Sequence, residues 1–180
     1  GVLTAEQVAA LETSDLAAFN TAAIAALSTL QVRALSTAQI VALTSAQVKA
    51  LTSDDIAALS TTQIAAMETR DAAVLGSAQA AALSAQQIEA MGTSGLVALS
   101  SIAIGALSTQ TIAALSTDQI VAMTTGQFGA LTSTQVSAIN ADQAVAIETR
   151  DLAAISTAAI AALSTAATTA LTTAQIQALD

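Results

Sequence analysis

Large apolar residues return at every eighth position from Leu3 to Leu179, without one insertion or deletion. Of these 23 positions, sixteen are Leu, three Met, three Ile and one Phe, so the site demands bulk. A second apolar site follows five residues after each: Val8, Leu16, Ile24, Val32, Ile40 and onward to Ile176. Only Ala72, Ala80, Ala144 and Thr168 are small there. A repeat this strict has to be explained before any other feature of the chain.

One continuous helix does not explain it. Eight residues at 100° each overshoot two turns by about 80°, so the leucine stripe would wind around the helix every few octads. No partner could cover such a stripe, and supercoils need repeats of seven or eleven. A straight strand also fails. The two apolar sites are an odd number of residues apart and would face opposite ways. Abundant alanine argues against strand as well. A β-solenoid with a corner inside each octad is the alternative that survives.

A third arrangement fits each position. With Ser36 as N-cap, Thr37 is N1, Gln39 is N3 and Ile40 is N4. Ser or Thr at N-cap with Gln at N3 is a capping box, and an apolar residue before the cap (Leu35) with one at N4 is the hydrophobic staple. Thr44 with Gln47, Thr52 with Asp55, Ser60 with Gln63, Ser116 with Gln119 and Thr172 with Gln175 repeat the signal. Each octad therefore starts a new helix of about seven residues. Such a helix is unstable alone and needs neighbours on both sides. Ile40 and Leu43 share a face, and Ala42 lets a neighbouring backbone approach. The expected fold is all-α: a solenoid of very short helices, one per octad, spanning residues 1–180 as a single uninterrupted array. One non-helical residue between helices favours three or four octads per coil. Three per coil, with layers ~9 Å apart, predict a rod roughly 70 Å long. No polar cap closes either end, which solenoids need. The expectation is a fragment of a longer array, or end-to-end self-association.

Three departures stand out. Glu12, Glu68 and Glu148 occupy cap positions in variants of the form Glu-Thr-Ser/Arg-Asp; Glu68–Asp71 and Glu148–Asp151 lie ten octads apart. Thr one residue later is expected to take over the cap, leaving a solvated charge cluster at the helix start. Gly76, Gly92, Gly95, Gly105, Gly126 and Gly129 gather in the middle and predict a looser or bent region. Asp54 and Asp55 form a helix-start pair that matches no calcium-loop spacing.

Composition narrows function. The chain has no His, Cys, Pro, Trp or Tyr. The commonest catalytic bases, thiol nucleophiles and soft metal ligands are thus absent. No catalytic, cofactor-binding or metal-ligating residue is assigned, and no enzymatic role is expected. Net charge is −9 with only four basic residues, Arg33, Lys49, Arg70 and Arg150, which disfavours nucleic acid. Mean hydropathy is +0.68, yet polar residues interrupt every octad and no apolar run nears the ~20 residues of a membrane span.

The copies Leu43–Leu51 (LTSAQVKAL) and Leu3–Leu11 (LTAEQVAAL) resemble the opening helix of TAL-effector DNA-binding repeats, one octad at a time. That family's second helix, base-reading loop and basic balance are missing, so no DNA function is carried over. Taken whole, the chain resembles the octad repeat arrays of very large bacterial secreted or cell-surface proteins. That resemblance implies a structural or spacer segment with an extracellular or cell-surface location, and brings no site residues. A protein-binding solenoid is the alternative. It predicts outward bulky residues in a patch, but Val41, Val97, Val121 and Val145 look scattered along the sequence. An ice-binding or other surface-binding array is suggested by Thr29, Thr37, Thr61 and Thr69, although capping would account for those threonines.

Overall fold

The computed structural model describes residues 3–179. Among them are twenty-one short helices and no strand, so the fold is the all-α solenoid and the β-solenoid alternative falls. A typical unit is Thr37–Ala42, preceded by Ser36 (ψ 162°) and followed by Leu43 (ψ 138°), both extended. The next helix, Ser45–Ala50, starts after extended Thr44. The corner is thus a pair of extended residues, Leu then Ser/Thr, rather than the single residue the sequence suggested. Six residues close only a few internal bonds: Ile40 N–H donates to the Ser36 carbonyl at 3.0 Å and Leu43 N–H to the Ile40 carbonyl at 3.2 Å. Everything else must come from neighbours.

Those neighbours lie three octads away. Ala5–Ala9 packs on Thr29–Ala34, then come Ser53–Ala58, Ser77–Ala81, Ser101–Ala106, Thr125–Gly129, Thr149–Leu152 and Thr173–Gln177 in one column. A second column begins at Thr13–Ala18 and Thr37–Ala42, and a third at Thr21–Ala25 and Ser45–Ala50. Twenty-four residues therefore make one coil with three faces. Three per coil is the correct choice between the two that the sequence left open.

The core is one continuous cluster along the axis. The N4 residues (Ile40, Val48, Ile56, Ile64) and the corner leucines (Leu35, Leu43, Leu51, Leu59) are all buried in it. Phe128 is the largest fully buried side chain. Alanine before each corner keeps the coils close. The same closeness explains Gly105: a Cβ there would stand 3.0 Å from the carbonyl oxygen of Ala130 in the next coil. The central glycines thus do not mark a loosened region. Gly92 alone has a special conformation, with φ +69°, at the cap between two octads that otherwise run together as Ala85–Ala98.

Candidate functional site

The N3 position does more than close a capping box. Gln39 Oε1 accepts from Ser36 N–H at 2.8 Å, and Gln39 N–H donates to Ser36 Oγ at 3.2 Å. That leaves the side-chain amide nitrogen free to donate. It donates to the carbonyl oxygens of Val8 and Leu11, 31 and 28 residues earlier, both at 2.9 Å. Val8 is an N4 residue and Leu11 a corner residue of the coil beneath. Their carbonyls are among those a helix end leaves without an internal partner. One buried glutamine thus ties three backbone segments from two coils.

The arrangement repeats through the molecule. Gln31, Gln39, Gln47, Gln63, Gln79, Gln87, Gln119, Gln127, Gln135, Gln143 and Gln175 each donate to a carbonyl one octad behind and one coil below. Thr111 makes a shorter-armed version, reaching the Leu83 carbonyl at 3.3 Å. Sequence reasoning recognised the capping half of this ladder. It missed the other half because the partners are 28 and 31 residues away, which only the coil size reveals.

Acidic residues break the ladder at defined rungs. Asp55 occupies N3 and is buried; its Oδ2 accepts from Thr52 N–H at 3.0 Å and from Thr52 Oγ1 at 2.7 Å. A carboxylate has no proton to give, so its rung donates nothing downward. Asp71 and Asp151 are the same kind of substitution with a compensating partner. Ser45 Oγ donates to Asp71 Oδ1 at 2.7 Å, and Thr125 Oγ1 donates to Asp151 Oδ1, each from the N1 residue of the helix beneath. Arg70 Nε lies 3.6 Å from Asp71 Oδ2 and 2.8 Å from Glu68; Arg150 repeats both at 3.6 and 3.0 Å. Arg70 also donates to the Val41 carbonyl at 3.3 Å.

The reading of these variants as solvated clusters needs correction. The Glu and Arg are exposed, but Asp71 and Asp151 are 0% and 1% exposed, and Asp71 Oδ2 has no hydrogen-bond donor. The cap does not shift to Thr either. Helices start at Thr69 and Thr149 with Glu68 and Glu148 at N-cap, making no side-chain cap bond. Register wins over the local cap because shifting it would move Ala72 and Leu152 out of the core.

Near the first cap, Glu6 is held below the ordinary carboxyl pKa by its own backbone N–H and by the Thr4 hydroxyl. Among the described residues no group of three or more carboxylates could hold a metal. Thr29, Thr37, Thr61 and Thr69 are N1 residues, so capping does not account for them; Ser28, Ser36 and Ser60 are the capping residues and Glu68 holds the fourth slot. They divide among all three faces. Conversely, three of the valines are not scattered. Val97, Val121 and Val145 are 24 residues apart and stack on one face, 37%, 50% and 49% exposed.

No helix among the described residues is long and apolar enough to cross a membrane. No curated protein matches the chain. The profile of a repeat family described as the ALTTAQ repeat matches six times, over residues 8–45, 30–61, 40–69, 64–101, 103–133 and 144–180. Those matches take in most of the sequence and follow its octads, so the chain belongs to the ALTTAQ repeat family.

Proposed function

We propose that the chain is a non-catalytic structural spacer: a stiff stretch, one unbroken array within a longer one, of a large bacterial secreted or cell-surface protein. The glutamine ladder is the observation that carries this reading. Bending a solenoid separates coils on one side, and here separation at most rungs breaks buried hydrogen bonds on two carbonyls at once. Those donors recur on all three faces, so stiffness has no weak direction. The residues that commonly anchor protein interfaces support the same view by their scarcity, since Trp and Tyr are absent and Arg is rare. Small-angle scattering tests it. The chain should scatter as a rod ~70 Å long with one constant cross-section; an ensemble of bent shapes would overturn the reading.

A second reading, a protein-binding solenoid, is favoured by one observation. The Val97–Val121–Val145 column is an exposed apolar ridge spanning three coils, with Asp118 and Asp142 exposed on the same face. Substituting all three valines by Thr should leave stability nearly unchanged and abolish any partner binding that the ridge supports.

A further inference from the structure

The coil-to-coil interface has a polarity, and it leaves unlike surfaces at the two ends. Each interior coil sends glutamine amides and corner side chains downward. It offers N4 side chains and the N4 and corner carbonyls upward. In the first described coil the N4 residues Val8, Leu16 and Ile24 are fully buried, whereas Leu11, Phe19 and Leu27 are only half-buried and Leu3 is 36% exposed. The last coil shows the converse. Its N4 residue Ile176 is 44% exposed and Ile160 is half-buried. A cavity of about 270 Å³ opens there between Ile155, Ile160 and Leu179. One end therefore carries apolar bumps, the other an apolar hollow.

Polar groups match in the same direction. Gln7 makes its capping bonds but has no coil beneath to receive its amide. The carbonyls of Ile160 and Leu163 stand in the place where a glutamine from a coil above would donate. Asp15 is the third member of the Glu-Thr-x-Asp variants. Asp71 and Asp151 are buried on an N1 hydroxyl of the coil below, whereas Asp15 is exposed. The N1 residues of the last coil are Thr157, Thr165 and Thr173, all exposed. Asp15 would find a hydroxyl in any of the three rotational registers.

We infer that the first coil of one copy docks on the last coil of a second copy, head to tail, and that the chain polymerises along its own axis. The contact continues the interface already repeated between every pair of coils. Because the two surfaces differ, the association is heterologous and open-ended. This inference stands apart from the spacer reading, which concerns stiffness within one copy.

Two blocked variants test it. Leu27→Glu charges only the first coil's underside, and Ile176→Glu only the last coil's upper side. The native chain should sediment as a concentration-dependent series of ever longer species with unchanged cross-section by scattering. Each variant, helical by circular dichroism, should stay monomeric alone. Mixed in equal amounts, they should give a one-to-one dimer and nothing larger. A native chain that remains monomeric from micromolar to millimolar concentration overturns the inference, as does growth in cross-section. Should a variant fail to fold, the native series alone decides.

Discussion

The side-chain nitrogen of Gln47 lies 2.8 Å from the carbonyl oxygen of Phe19 and 2.9 Å from that of Leu16, while its own Oε1 accepts from Thr44 N–H at 2.8 Å. The residue that begins one helix thereby finishes two segments of the coil below. This explains why glutamine, rather than the glutamate that serves equally in a capping box, holds N3 at most rungs. Both supply the acceptor, but only glutamine supplies the donor.

Gln47→Glu separates those two roles. The cap bond survives, and a buried carboxylate is placed against two carbonyl oxygens. The loss should be roughly 3 to 5 kcal/mol, as for other uncompensated buried charges. Gln7→Glu is the control, since Gln7 is exposed and has no coil beneath. It should change stability by less than about 0.5 kcal/mol. Urea unfolding of both, followed by circular dichroism, checks the contrast.

Asp71→Gln should stabilise the protein. Asp71 is buried with one oxygen lacking a donor, and its rung leaves the Ile40 and Leu43 carbonyls without a glutamine. The longer amide reaches both in the geometry of the other rungs, at the loss of the Ser45 bond. A net gain of about 1 kcal/mol follows from replacing one buried bond by two. A lowered unfolding midpoint would mean that the Arg70–Asp71–Ser45 arrangement stabilises its rung more than a glutamine does.

Two glycines at cap positions should respond in opposite senses. Gly92 has φ +69° and ψ −175°, a region closed to side chains, and open space surrounds its missing Cβ. Gly92→Ala should therefore cost roughly 1 to 3 kcal/mol through backbone strain alone. Gly76 is extended at φ −82°, like the serine caps, and already receives the Gln79 side chain on its N–H at 2.9 Å. Gly76→Ser should add a few tenths of a kcal/mol by capping Gln79 N–H. Thermal midpoints of the two variants measured together decide this.

Much of the architecture could be read from local chemistry, because each octad carries its own start signal. Ser36, Gln39, Ile40 and Leu35 lie within six residues and act on one another there. What could not be read depends on the pitch. Whether Val97, Val121 and Val145 form a ridge, and whether Asp71 is solvated or buried, turns on the 24-residue coil. No pair of neighbouring residues encodes that number. It follows from the angle made by two extended corner residues and from how closely alanine lets coils approach. The Glu-Thr-Arg-Asp variants misled for the same reason: their local pattern is that of a surface ion pair, but N3 faces the coil below wherever the helix is capped.

The register of the ladder makes a last prediction about length. Removing residues 101–124 takes out one full coil. Gln127 then stands third after Ser100, at the rung that Ala103 now occupies, with the carbonyls of Ala72 and Leu75 beneath it. Columns, corners and core all rejoin in phase. The shortened chain should remain fully helical and unfold cooperatively, with its denaturant slope reduced by about an eighth, in line with the smaller surface exposed. Removing residues 101–120 instead leaves the octads out of phase at the junction. Leu99 is then followed two residues later by Val121, which stands where an N1 residue belongs, and core leucines face solvent from there onward. That variant should lose helix around the junction and unfold in two steps, as circular dichroism in urea would record. Equal behaviour of the two deletions would show that the coils are held by apolar contact alone, without need of the glutamine register.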